Sequence, residues 1–160
     1  MGMRKFHLTA CCVALVAGCG QPSTTRPNGE EALGPGRFPH SVIQETIAPW
    51  DGPATQIFLS EKPLDEDNPA EPRVSIRVYK GPSGLSNQRL RLAGKESREG
   101  LAVWIDREGR STPLSAAAIE VEEVVDRAPV TGKYEVTFPD GKQERGRFKA
   151  TWWRAEGRGG

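Results

Sequence analysis

Thiols and imidazoles are scarce in this chain of 160 residues, which has three cysteines and two histidines. Cys11, Cys12 and Cys19 all fall near the start, so nothing downstream can form a disulfide or a cysteine-based metal site. His7 lies in the same stretch, which leaves His40 as the single imidazole of the remainder. Zinc sites on His or Cys ligands, Ser-His-Asp triads and Cys-His pairs would all have to run through that one residue. Phosphate-cradling and nucleophile motifs are missing too: there is no G-x-x-x-x-G-K-[ST], no G-x-G-x-x-G and no G-x-S-x-G. Neither sign of charge is in excess, with 22 Lys and Arg against 21 Asp and Glu. That balance gives no sequence-independent pull toward nucleic acid and no polybasic signal for lipid. Hydrophobic residues make up 36% and aromatic residues 7%, low enough that part of the chain is expected to lie outside any core. No catalytic residue, cofactor or metal follows from this inventory.

Long apolar runs are also lacking. The most extended, Phe6 to Ala17, is interrupted by His7 and Thr9. At about a dozen residues it is too short to cross a hydrocarbon core of roughly 30 Å as a helix. It has the size of a signal-peptide apolar segment, and Arg4 and Lys5 supply the positive region before it. Val16-Ala17-Gly18-Cys19 closes the run, with small residues where a peptidase needs extended backbone. This combination resembles a bacterial lipobox, which asks for an aliphatic residue three before the cysteine and a small one directly before it. Val16 and Gly18 fit. The resemblance implies cleavage ahead of Cys19, lipid on its sulfur, and attachment to a membrane through that lipid. Gly20, which is not Asp, implies the outer rather than the inner membrane. Plain secretion with a cut nearby is the competing reading.

Residues 1–18 are thus expected to be a signal peptide and 19–37 a lipidated start and tether. Gln21 to Gly36 is dominated by Pro, Gly, Ser, Thr and Asn, and Leu33 is its one large apolar residue. Such a segment buries too little to offset its ordering entropy. Its mean reach as a coil is on the order of 20–25 Å.

From Phe38 the apolar residues recur with period two. The runs are Val74-Ile76-Val78, Leu90-Leu92, Leu101-Val103-Ile105, Tyr134-Val136-Phe138 and Phe148-Ala150-Trp152, with further strands at Ser41–Ile47 and Thr55–Ser60. Alternation places one face on a core and the other in water. Gly-bearing turns punctuate the runs, and Pro139-Asp140-Gly141 marks the clearest hairpin. Gly146 in its second strand suggests a bulge. Ser115–Val125 reads two ways. Thr112-Pro113 could start a helix with Leu114, Ala118, Val121 and Val125 on one face; the strand reading is favoured because strands flank it. Eight short strands predict an all-β chain over residues 38–155, a single antiparallel β-sandwich-like or small barrel domain, with a tail at 156–160. Gly132-Lys133-Tyr134, Asp140-Gly141 and Gly146-Arg147-Phe148 resemble segments of secreted bacterial β-modules, a resemblance that implies no particular activity.

Three groups of residues invite chemistry. Glu120, Glu122, Glu123 and Asp126 form an acidic stripe, readable as a cation or carboxylate-pair site or as a solvated strand face. Asp65-Glu66-Asp67-Asn68 is oxygen-rich but lacks the Gly and distal Glu of a dedicated calcium loop. Trp50, Trp104, Trp152 and Trp153 are four tryptophans in an aromatic-poor chain. The alternation turns Trp104 away from Leu101, Val103 and Ile105, and Trp153 away from Trp152. Trp104 and Trp153 are therefore the expected ligand-binding indoles, for a sugar or a protein surface. The sequence predicts a non-catalytic binding or envelope-structural module with a protein or glycan partner. A carbohydrate-binding module is the second reading and a carboxylate-dependent hydrolase the third.

Overall fold

A computed structural model describes residues 34, 36–64, 72–93 and 95–153. The expected signal peptide, Cys19, most of the tether, the Asp65–Asn68 loop and the tail lie outside the described residues. Among the described residues there are nine strands: β1 (His40–Ile47), β2 (Pro53–Ser60), β3 (Arg73–Val78), β4 (Gln88–Ala93), β5 (Gly100–Ile105), β6 (Ser111–Pro113), β7 (Ala116–Val121), β8 (Val130–Thr137) and β9 (Gln143–Trp152). One 3₁₀ turn, Pro82–Leu85, joins β3 to β4.

The strands form one sheet in the order β4-β7-β8-β9-β1-β2-β3-β5-β6. Every pairing is antiparallel except β1 with β9, a short parallel contact through Val42 with Thr151 and Ile43 with Trp152. The N–H of Trp153 extends that contact by donating to the Ile43 carbonyl at 2.8–3.0 Å spacing typical of a ladder, here 2.9 Å. The expected all-β single domain is the fold observed. It is built as a single strongly curled sheet, a half-barrel, rather than two stacked sheets. The curl is what lets one core form: Ile43, Ile57, Leu59, Val74, Ile76 and Val78 from one half meet Leu90, Leu92, Ile119, Val121, Val130 and Val136 from the other.

The alternation read from the sequence locates most strands correctly, and Ser115–Val125 resolves as β7 followed by irregular chain from Glu122. Three details differ. Thr112-Pro113 starts no helix and lies in β6, paired with Trp104 and Val103. Gly146 makes no bulge, because β8 and β9 stay in continuous register with Gly146 opposite Tyr134. The third concerns β5, whose expected phase is inverted. Trp104, Ala102 and Gly100 stand opposite Val74, Ile76 and Val78, all fully buried. Directly opposed residues share a face, so those partners turn Trp104 inward and leave Leu101, Val103 and Ile105 half-buried on the outer face.

Three hairpin turns are built alike. In each, the first residue receives a bond from the fourth and donates to the fifth: Ala48 with Asp51 and Gly52, Asp106 with Gly109 and Arg110, Phe138 with Gly141 and Lys142. This is the three-residue loop whose last residue takes a left-handed conformation. Gly109 (φ 77°) and Gly141 (φ 86°) fill that position in two of them. Asp51 fills it in the third, at φ 62°.

Candidate functional site

The four indoles separate. Trp104 sits at the rim of the core between Phe38, at 6.3 Å, and Phe138, at 5.6 Å and nearly edge-on. The Arg37 guanidinium covers this trio, 5.5 to 5.8 Å from each ring centroid. Arg37 is held in turn by an ion pair with Glu61 and a longer one to Glu144 at 3.8 Å. Trp104 is therefore a half-buried packing element, not the outward indole that the alternation predicts. Trp152 packs on the core rim and donates its indole N–H to the Ala128 carbonyl at 2.8 Å, with Arg127 against its ring. Trp153 lies on the outer face, half-buried against Phe58 at 5.3 Å. The two indoles singled out from the sequence occupy opposite faces of the sheet and do not form a shared platform.

The outer face beside Trp153 is closed by its own side chains. Gln44 donates to Gln56 at 3.1 Å, and Gln56 donates to Ser75 Oγ at 2.7 Å. Gln56 and Ser75 are buried although they point away from the core. Arg73 covers the Phe58 ring at 5.3 Å. Buried polar groups that satisfy one another in this way hold register across β1, β2 and β3.

The other half of the sheet carries a shallow double depression over Ala116 and Ala118, of about 160 and 220 Å³. Arg89, Arg91, Lys133 and Arg145 line it against two carboxylates, Glu120 and Glu135, so its charged lining is positive on balance. The acidic stripe does not stay together. Glu120 is on β7, Glu122 takes bonds from Thr131 and from Arg147 at 2.6 Å, and Asp126 faces Arg127 at 3.8 Å beyond the strand. Among the described residues no cluster of three His, Cys, Asp or Glu is placed to hold a metal ion. His40 opens β1 opposite Ser60.

Trp50 is different. It occupies the middle of the Pro49-Trp50-Asp51 loop between β1 and β2, and its side chain is 56% exposed. A residue there has no sheet neighbour to cover it, so its ring is displayed unless another element reaches over. Here Tyr79, just past β3, meets the indole edge-on, with centroids 4.7 Å apart and planes at 74°. From below, Gly52 fits against the ring; a Cβ at that position would stand 2.9 Å from Trp50 Nε1. Ile47, 54% exposed, flanks the same turn. The Tyr79 hydroxyl donates to the Glu96 carboxylate. Burial, and then this bond to Glu96, pushes the Tyr79 phenol up to about 12, so it stays a proton donor throughout the neutral range. The result is an exposed indole in T-shaped contact with a phenol that also holds a carboxylate.

Trp50 was one of four tryptophans in the sequence, and its setting in Trp50-Asp51-Gly52-Pro53 between two strands is the signal that marks it. Turn position, rather than strand alternation, predicts an uncovered side chain. The platform's end of the molecule follows from chain direction. β1 enters at His40 and runs to Ile47, roughly 23 Å away at strand rise. Trp50 therefore lies just past the C-terminal end of β1. No family model matches this chain, and no curated protein or solved structure matches it either.

Proposed function

We propose that this chain is an exported lipoprotein, held in the outer membrane by lipid on Cys19, whose β domain is a non-catalytic binding module for a protein or glycan of the cell envelope. The observation that carries the reading is the series Arg4-Lys5, the apolar run to Ala17, and Val16-Ala17-Gly18-Cys19. Two or three acyl chains, at roughly 0.8 kcal/mol per buried CH₂, anchor far more firmly than one.

The test is the intact mass of the protein purified from its native membrane, with and without globomycin. The expected mass is that of residues 19–160 plus acyl groups, lost on Cys19→Ala. An unmodified chain that retains its first eighteen residues would overturn the reading.

A further inference from the structure

We propose that the outer face of β4, β7, β8 and β9 rests on anionic phospholipid head groups, so that the anchored domain lies with this basic face against the membrane. The inference rests on the lipoprotein reading for the nearness of a membrane, and adds a second, polar contact to it.

Charge is unevenly sorted in a chain whose totals nearly cancel. In these four strands Leu90, Leu92, Ile119, Tyr134, Val136 and Phe148 are buried in the core, so the alternate residues face out. The register lines up the outward residues in rows across the sheet. One row is Arg89, Glu120, Lys133 and Arg147; the next is Arg91, Ala118, Glu135 and Arg145. Lys149, opposite Thr131, adds a cation, and Glu122 just past β7 adds a carboxylate tied to Arg147. The face thus sets six cations against three carboxylates. Arg89, Arg91, Arg147 and Lys149 are exposed. Small side chains at Ala116 and Ala118 leave a broad, shallow surface, suited to a plane of head groups rather than to one enclosed ligand.

The entry point of the chain selects a membrane as the source of negative charge. The Arg147 N–H donates to the Gly34 carbonyl at 3.0 Å, and a Cβ on Gly36 would stand 2.4 Å from the Arg145 carbonyl oxygen. The chain therefore joins the fold along β9, beside two of the six cations. Gly34 is about fifteen residues past Cys19, a coil reach of about 20 Å. Four strands span roughly 15–20 Å, so lipid on Cys19 keeps head groups within about one face-width of these residues. Each cation near an anionic leaflet strengthens the contact about fivefold. For a free chain with balanced totals that hold is weak. For a tethered one the contact is intramolecular and has only to outweigh the domain's other orientations. The acyl chains hold the protein, and the basic face sets which way it lies.

The full-length chain carrying Cys19→Ala is sedimented with vesicles of phosphatidylcholine alone, and of phosphatidylcholine with phosphatidylglycerol, at low and high salt. Binding to the phosphatidylglycerol vesicles at low salt, abolished by high salt, is expected. Arg4 and Lys5 are common to every chain compared, so the variants carry the result. Arg89→Gln with Arg91→Gln and Lys149→Gln should weaken this binding about tenfold or more. Lys80→Gln with Lys95→Gln and Arg107→Gln removes as much charge from exposed turns outside the face, and should weaken it less than about twofold. Thermal melts of both triple variants separate lost binding from lost folding. No preference for phosphatidylglycerol, or equal losses in the two triple variants, would overturn the proposal. So would displacement from the vesicles by micromolar tetragalacturonate, which would assign the face to a soluble acidic glycan. The vesicle result does not depend on acylation, and the mass of the native protein does not depend on the vesicles, so the two readings fail separately.

Discussion

Trp104 stands directly opposite Val74 on the inner face of the curled sheet, and Arg37 closes over its ring 5.8 Å from the centroid. Trp50, by contrast, projects from a turn with over half its surface in water. The pair separates structural from displayed indoles. Trp104→Ala should cost about 2–4 kcal/mol, and Trp50→Ala no more than about 0.5 kcal/mol. Urea unfolding of the two variants measures this directly; equal losses would mean that the two rings are not placed as described.

Gly132 in β8 lies where a side chain has no room. A Cβ there would be 2.2 Å from the Glu120 carbonyl oxygen and 2.6 Å from the Phe148 ring. The backbone contact cannot be relieved by rotating a side chain. Gly132→Ala should therefore destabilise by about 2–3 kcal/mol, an overpacking cost, and lower the melting temperature by several degrees. A variant that melts with the parent would show that the β7–β8 ladder yields at this point.

Asp51 holds a position that Gly109 and Gly141 hold in the two sister turns. Asp51→Gly should remove the left-handed penalty and stabilise the fold by about 0.5–1 kcal/mol, less any entropy gained by the unfolded chain. Differential scanning calorimetry would detect the rise. No change or a fall would show that Asp51 makes a compensating contribution to the turn.

The two tyrosines of the chain are both shifted upward. Burial raises Tyr134, and burial with the bond to Glu96 raises Tyr79 to about 12. An unfolded phenol loses its proton near pH 10. Between that pH and the folded value, the unfolded state binds fewer protons than the folded one, so stability falls as pH rises. This contribution is complete below pH 10 and is lost as pH climbs through about 12 for Tyr79. Spectrophotometric titration should therefore show little tyrosinate at pH 10, and Tyr79→Phe should flatten the alkaline loss of stability. Half-ionisation at pH 10 would contradict both environments.

Attachment through acyl chains and attachment through charge respond differently to salt. With 22 basic and 21 acidic residues, the chain has little electrostatic hold on an anionic membrane. On the proposed reading, washing membranes with high salt should leave the protein bound, and detergent alone should release it. Release by salt would point to adsorption through charge instead of lipid.

Strand positions were legible because period-two alternation is a local property of the chain, and Val74-Ile76-Val78 or Tyr134-Val136-Phe138 needs no partner to be read. The phase of β5 was not legible. Leu101, Val103 and Ile105 compete with Trp104 and Ala102 for the core, and both sets are apolar. Only the ladder with Val74, Ile76 and Val78 decides between them, since opposed residues must share a face.

The candidate site followed the same division. The sequence placed Trp50 in a turn and determined the charge balance, the absence of thiols from the folded part and the lipobox-like segment. It could not place Tyr79 against Trp50, because the two are brought together by the pairing of β1 with β2 and of β2 with β3. The choice of one curled sheet over two stacked ones was also tertiary. It depends on β1 and β9, distant in the chain, meeting side by side through Val42, Ile43, Thr151 and Trp152. Alternation fixes which face of a strand is buried, but the neighbour each strand takes is settled by long-range hydrogen bonding and shared burial.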